Sequence, residues 1–215
     1  MREDKICFII CANHAMYLDE CIRYIHRLTV PEGMEVEIVE IADAVSMTAG
    51  YNEGMQATNA KYKVYLHQDV FLTNPYFIED LLKIFHADQS IGMIGMVGTP
   101  QMPPDGVMWN AFRYFYTDFP EQEERYSIER DGWNAVEAVD GLLIATAYDL
   151  PWREDLFDGW DFYDVSQSFE FRKSGYQVVV PVQRSRWYVH DDKRCLNLWN
   201  YNRYRKLFVE KYLQG

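Results

Sequence analysis

His67, Gln68 and Asp69 follow directly on the apolar run 62–66 (YKVYL). An imidazole beside a carboxylate at a strand end can hold a divalent cation, since borderline ions such as Mn2+ accept both nitrogen and oxygen ligands. A second histidine, His190, closes the short run 187–189 (WYV) just ahead of Asp191 and Asp192. A lone histidine is most often an ordinary surface or core residue, but this one has unusual neighbours. Between 183 and 206 stand Arg184, Arg186, Lys193, Arg194, Arg203, Arg205 and Lys206 against Asp191 and Asp192, a local net charge of +5. An anionic ligand, phosphate above all, would dock at such an island, although some of these side chains serve only to balance acidic neighbours. The third group lies in 157–181 (FDGWDFYDVSQSFEFRKSGYQVVVP), where Asp161 and Asp164 stand among aromatics ahead of a helical pattern. Near a helix N-terminus, Asp164 stays ionised at neutral pH unless buried, which suits a helix cap, a general base for a hydroxyl, or both.

The fold must bring these groups together, and the apolar patterning indicates how. Residues 5–11 (KICFIIC) suit a strand buried on both faces in a parallel sheet. Leu18, Cys21, Ile22, Ile25 and Leu28 recur at helical spacing, and that helix stops before Pro31. Residues 36–41 (VEIVEI) alternate as a strand, 46–57 read as a short helix with Ser46 as its N-cap, and 62–66 form a third strand. Asn74 and Pro75 make an N-cap and first-turn pair for a helix carrying Ile78, Leu81, Leu82 and Phe85, with the apolar stretch 91–97 behind it. This βαβαβαβ series predicts a mainly parallel sheet with right-handed crossovers. The ligand crevice of such a sheet lies beyond the carboxyl ends of its strands, which selects Ala12 and Asn13, Asp43, and 67–69. Over 99–134 the periodicity fails. Pro100, Pro103 and Pro104 open the segment, and 118–131 holds six acidic residues against two arginines. A loop this long either covers a site or is a solvated insertion. Regularity returns with a strand at 142–146, a helix from about 164 to 174 ended by Gly175, a strand at 177–182 and a C-terminal helix over about 200–212.

Several classes are excluded by composition. A chain of 215 residues with 48% hydrophobic and 16% aromatic residues is one folded domain rather than a solvated disordered segment. A net charge of −12 argues against a general nucleic-acid binder, whose affinity comes from neutralising phosphates. No stretch approaches the roughly 20 apolar residues that a bilayer span needs. The first apolar run breaks at Asn13 and His14 before any small-residue cleavage site, so a cytoplasmic, unprocessed chain is expected. Of the four cysteines, Cys7 and Cys11 would lie on one strand face about 13 Å apart, too far to bridge. Reduced thiols are expected at these two and at Cys21 and Cys195.

Taken in order, the motifs resemble those of family 2-like glycosyltransferases with the GT-A fold, over about 5 to 190. Cys11, Ala12 and Asn13 stand where that family has a nucleotide-contacting turn, and Asp43 stands for the acid after its second strand. Asn52, Gly54 and Ala60, in 51–70 (YNEGMQATNAKYKVYLHQDV), match the helix that leads into the family's metal-binding aspartates. His67, Gln68 and Asp69 occupy that metal motif. Asp140 and Gly141, in 138–146 (AVDGLLIAT), match a segment near the acceptor, and 161–176 matches the acidic motif followed by a helix and a glycine with an aromatic. The family's catalytic aspartate falls best on Asp164, with Asp161 as the alternative. His190 takes the place of a late histidine that completes the metal site in several related enzymes.

The resemblance implies an α/β, Rossmann-like, mostly parallel sheet flanked by helices, with a long acceptor-side loop and a C-terminal helix. Residues 1–215 would form one domain, with 1–98 binding the nucleotide sugar and 99–215 carrying the acceptor and catalytic groups. The implied reaction moves a sugar from a UDP- or GDP-linked donor to a carbohydrate or glycolipid acceptor, with inversion, in polysaccharide biosynthesis. Ala12, Asn13, Asp43, Asn52, His67, Gln68 and Arg203 would bind the donor, and Asp140, Gly141 and Trp160 the acceptor. Mn2+ or Mg2+ would sit on Asp69, His190 and His67. Trp109, Trp133 and Trp160 are candidates for stacking on sugar faces or for closing a core edge. Without a span, contact with a membrane would be peripheral.

Two departures bear on function. His67 replaces the first carboxylate of the metal motif, so either its imidazole ligates or Asp69 and His190 hold the cation alone. Residues 183–187 spell the QxxRW signature of processive membrane-embedded synthases, but only 19 residues after Asp164 and with no span, so a strand of alternating Arg and Trp is the better reading. A sugar nucleotidyltransferase would need a glycine-rich loop after the first strand, and 11–15 offers no glycine. A noncatalytic nucleotide-sugar or carbohydrate binding module of the same fold is the other alternative.

Overall fold

The computed structural model of the protein describes residues 1–116, 132–191 and 197–214. In chain order its elements are β1 (Arg2–Ala12), α1 (Ala15–Ile25), β2 (Glu35–Ala42), α2 (Met47–Ala57), β3 (Ala60–His67), β4 (Val70–Leu72), α3 (Phe77–Ala87), β5 (Ile91–Gly95) and β6 (Gly98–Thr99). After a single 3-10 turn at Met108–Asn110 come β7 (Trp133–Val136), β8 (Ala138–Val139), β9 (Leu143–Thr146), α4 (Tyr163–Lys173), β10 (Gln177–Pro181), β11 (Tyr188–His190) and α5 (Leu198–Phe208), which runs into a π-helical turn at Val209–Leu213. No described helix is long and apolar enough to cross a membrane.

β1 is buried on both faces because it lies between parallel neighbours, β2 on one side and β3 on the other. Its side chains alternate between two layers. Ile6, Phe8 and Ile10 pack with α1 and α3 residues such as Cys21, Ile25, Phe77 and Leu81. Cys7, Ile9 and Cys11 face Met47, Tyr51 and Met55 of α2. α2 comes so close to the sheet that a Cβ built at Gly54 would overlap Ile9. Ser46 caps α2 as its type predicts, accepting the Ala49 N–H at 3.1 Å.

The seven-stranded sheet has the order β2-β1-β3-β9-β5-β10-β7. β1, β2, β3, β5 and β10 run one way, while β9 and β7 run against them, so the sheet is mostly parallel as expected. The uninterrupted parallel series is corrected in one place. β5 does not pair with β3, because β9 lies between them, antiparallel to both. Its four residues are all buried, as a parallel strand's would be, so hydrophobicity carries no mark of its direction.

Smaller corrections concern boundaries. The expected strand 91–97 stops at Gly95, and Gly98 and Thr99 pair instead with β8. α3 begins at Phe77 rather than at Pro75; Asn74 accepts the Tyr76 N–H at 3.0 Å, closing the turn before the helix, and donates to Asp80 at 2.8 Å. α4 starts one residue earlier than expected, from Phe162 in the left-handed region at φ 64°, so Asp164 is its second residue and not its cap. Gly175, at φ 87°, ends it where a left-handed residue is needed. Within the expected loop 99–134, Tyr114 exchanges two backbone hydrogen bonds with Gly98 at 3.0 and 2.7 Å, and 117–131 lies outside the described residues. α4 and α5 share a third apolar cluster built on Phe157, Phe162, Phe169, Tyr204 and Phe208.

Candidate active site

The parallel strands β1, β2 and β3 end on the same side, and there the surface opens into a cavity of about 940 Å³, a size suited to a ligand as large as a nucleotide sugar. Ala12 and Asn13 line it from the end of β1, Asp43 from the end of β2, and His67 and Gln68 from the end of β3. Asp69 and His190 lie on the same wall, and Asp140, Gly141, Trp160, Asp161 and Asp164 complete it from the second half of the chain. Asp43 sits at φ 54°, the left-handed conformation that aspartate tolerates better than most residues.

Residues 69 and 190 meet because β11 pairs antiparallel with β4, His190 opposite Val70, and the Asp191 N–H reaches the Asp69 carbonyl at 3.0 Å. His190 Nε2 is 3.4 Å from the Asp69 carboxylate, and the His67 ring centroid is 5.7 Å from that of His190. One ligand atom from each of His67, Asp69 and His190 fits within 4.8 Å of the others. Two imidazoles and a carboxylate at this spacing form a donor set for a borderline divalent cation. Burial pushes the Asp69 carboxyl up, but its hydrogen bond to His190 and the nearby imidazoles outweigh this and hold it below the ordinary carboxylate range.

Across the cavity the left-handed turn at Phe162 aims the first residues of α4 inward. The Asp164 carboxylate accepts the N–H of Gly141 and that of Val165, each at 2.8 Å. Burial, with the charge of Asp140 added, nevertheless raises its proton affinity to about 7. Asp140 accepts the Leu142 N–H at 3.0 Å, which shapes the turn carrying Gly141. A Cβ at Gly141 would overlap the Tyr163 hydroxyl, so the tight approach there requires glycine.

Gln68 lines the cavity while engaged elsewhere. Its oxygen accepts the N–H groups of Asn13 and His14 at 3.1 and 2.9 Å, and its amide donates to Asn13 Oδ1 at 2.7 Å. It therefore clamps the turn after β1 to the end of β3. Asn52 does not line the cavity. It is buried in α2 and exchanges two hydrogen bonds with the Trp152 backbone, at 2.9 and 2.8 Å. Arg203 is not a lining residue either; it lies on the exposed face of α5, 3.2 Å from Asp158 and over the Tyr204 ring. Asn52 is selected by its order along the chain and Arg203 by its place in the basic island, and neither criterion says which side of a helix a residue faces.

The basic island is dispersed. Lys193 and Arg194 lie outside the described residues, and Arg184, Arg186, Arg205 and Lys206 are not among those lining the cavity. The described lining residues include six aspartates and no Lys or Arg. Residues 183–187 do not form the expected strand but a bend between β10 and β11, in which Gln183 and Trp187 are buried, Trp187 against Phe77 with ring centroids 5.9 Å apart. Trp109 and Trp160 stand exposed at the cavity, whereas Trp133 lies on β7 away from it. The three described cysteines are free and buried, and burial pushes each thiol up to about 12, which leaves them unreactive. Cys195 is outside the described residues.

Sequence reasoning missed Tyr163, whose hydroxyl lies 2.6 Å from His67 Nε2, and the lining residues Tyr17 and Tyr201. Tyr17 donates to Asp191 at 3.2 Å across the mouth of the site. Tyr163 was discoverable as the neighbour of Asp164 on a helix start. Nothing in the pattern around Tyr17 or Tyr201 separates them from ordinary helical aromatics.

Sheet order, crossing strand and strand-end cavity define the GT-A fold, and solved structures share it. Mannosyltransferase PcManGT from Pyrobaculum calidifontis, in complex with GDP-Man and Mn2+, matches with a TM-score of 0.55 at 13% identity, over 98% of this chain and 71% of that one. S. aureus TarS matches with a TM-score of 0.56 at 11% identity, over 86% of this chain and 36% of TarS. TarS 1-349 in complex with UDP matches at 0.51 and 10% identity, and the chain spans 59% of its length. No curated protein matches in sequence. The profile of the glycosyltransferase-like family matches residues 7–212, and the chain belongs to that family.

Proposed function

We propose that this chain is an inverting, metal-dependent transferase that moves a sugar from a nucleoside diphosphate donor to an acceptor hydroxyl. The observation that carries this reading is the convergence of His67, Asp69 and His190 within 4.8 Å on one wall of a cavity that Asp164 also lines. UDP in the TarS structure and GDP-Man with Mn2+ in PcManGT support a UDP- or GDP-linked donor. Asp69, His190 and His67 would hold Mn2+ or Mg2+, whose Lewis acidity stabilises the diphosphate as it leaves.

The remaining roles belong to the chain itself. Ala12, Asn13 and Asp43 receive the base and ribose at the ends of β1 and β2, with Gln68 keeping the Asn13 turn in place. A carbohydrate or glycolipid acceptor binds beside Asp140, Gly141 and Trp160. Asp164, whose proton affinity near 7 matches the working pH of a base, takes the proton of the acceptor hydroxyl as its oxygen attacks the anomeric carbon. That attack displaces the nucleoside diphosphate from the opposite face and inverts the centre. Asp161, on the same wall, is the alternative base.

Incubation with Mn2+ and a panel of nucleotide sugars tests the reading. Release of free nucleoside diphosphate is expected, faster with acceptor present. Release of pyrophosphate, or binding without turnover, would overturn it.

A further inference from the structure

We propose that Tyr163 is a positioning residue for His67: its buried hydroxyl fixes the imidazole in the orientation in which it joins Asp69 and His190. The inference rests on reading that trio as a cation site. The hydroxyl is 2.6 Å from His67 Nε2, reaching from the start of α4 to a ring that stands beside His190. An imidazole can ligate only through a nitrogen that carries a lone pair, and the partner of its other nitrogen decides which nitrogen that is and how the ring is turned. Without such a partner the ring can rotate, and part of any binding free energy goes into ordering it.

Tyr163 itself has little freedom. It is 3% exposed and packs edge-on to Tyr51, with centroids 5.9 Å apart, and against Trp152 at 6.2 Å. Gly141 supplies the space that its hydroxyl occupies, since a Cβ there would overlap it. The helix start adds a second constraint. Phe162 adopts φ 64° with its ring packed on Tyr201 and Phe208, at 5.0 and 5.6 Å, and this turn presents Tyr163 and Asp164 side by side. One strained backbone position thus serves both walls of the cavity, holding the proposed base and the residue behind a proposed ligand.

The test uses the full chain and Mn2+ alone, with free Mn2+ read by electron paramagnetic resonance. Tyr163→Phe keeps the ring and removes the hydroxyl, and it should weaken Mn2+ binding by about 10- to 100-fold with little change in melting temperature. Imidazole nitrogen shifts of one histidine should move in the same variant. Gly141→Ala, which displaces the hydroxyl, should weaken binding in the same direction and decides the matter if Tyr163→Phe does not fold. Adding Tyr163→Phe to His67→Ala should cost no further affinity, because the tyrosine acts through that ring. Wild-type affinity in Tyr163→Phe, or an undiminished further loss in the double variant, overturns the positioning role and leaves the cation site standing. A wild-type chain that binds no Mn2+ overturns both readings, and the wild-type titration alone reveals it.

Discussion

Replacing Asp164 with asparagine preserves the shape of the side chain and removes its capacity to take a proton. In the wild type its two oxygens accept the Gly141 and Val165 N–H groups, each at 2.8 Å. Asparagine has a single acceptor oxygen, so one backbone donor loses its partner at a cost of about 1–3 kcal/mol. A relief acts in the other direction. Burial and the charge of Asp140 raise the carboxyl from its ordinary 3.8 to about 7 in the folded protein. A group raised in this way contributes stability that is complete below its unfolded value and lost as pH climbs through its folded value. An amide does not titrate and carries no such loss, so the stability of Asp164→Asn relative to wild type should improve steadily between about pH 4 and about pH 7. Turnover should fall about 10²- to 10⁴-fold, while the dissociation constant for donor stays unchanged, because a base acts only in the chemical step. Wild-type turnover should itself rise with pH through about 7 as the carboxyl ionises. Calorimetric titration with nucleoside diphosphate and Mn2+, beside the rate of diphosphate release across that range, separates the two effects. Equal loss of binding and turnover, or turnover at the wild-type rate, would refute the reasoning.

Three further outcomes follow from the packing. Asn52→Ala removes both hydrogen bonds to the Trp152 backbone and should lower stability by about 2–4 kcal/mol in urea unfolding, with donor affinity retained; lost affinity at unchanged stability would restore a donor-contact role. Asp149→Asn removes the charge that faces Lys63, whose side chain is 0% exposed, 2.7 Å from that carboxylate and also bonded to the Ala60 carbonyl at 2.6 Å, and should cost about 1–3 kcal/mol by the same measurement; an unchanged unfolding midpoint would contradict this. Arg203→Ala breaks an exposed pair with Asp158, worth about 1 kcal/mol or less, and its contact over the Tyr204 ring, neither of which reaches the cavity, so donor affinity should be unaffected; a weakened donor complex would show that α5 reaches the ligand.

Much of the fold was readable because its central strands are continuous apolar runs buried on both faces, as in 5–11 and 62–66, and because Ser46 and Gly175 mark helix ends by their side-chain chemistry. The strand-end rule located Asn13, Asp43 and His67 through Asp69, since parallel strands finish on one side whatever their order. The direction of β9 was not readable, because a fully buried strand shows the same hydrophobicity in either sense. The ladder between β4 and β11 is only three residues long on each side, too short for a pattern, yet it is what brings His190 to Asp69. Asn52 and Arg203 show the opposite failure. Their position along the chain suited a ligand contact, while the rotation of α2 and α5 turned them to the Trp152 backbone and to Asp158.

The place of β9 has a consequence for biosynthesis. A nascent chain leaves the ribosome N-terminus first, so β1, β2, β3 and β5 all emerge before residues 143–146, which fill the gap between β3 and β5. Until then the edges of two incomplete pieces stay open to wrong pairing. The middle of the sheet therefore closes only once residues 143–146 have emerged, and a chain stalled before residue 143 would keep those strand edges exposed.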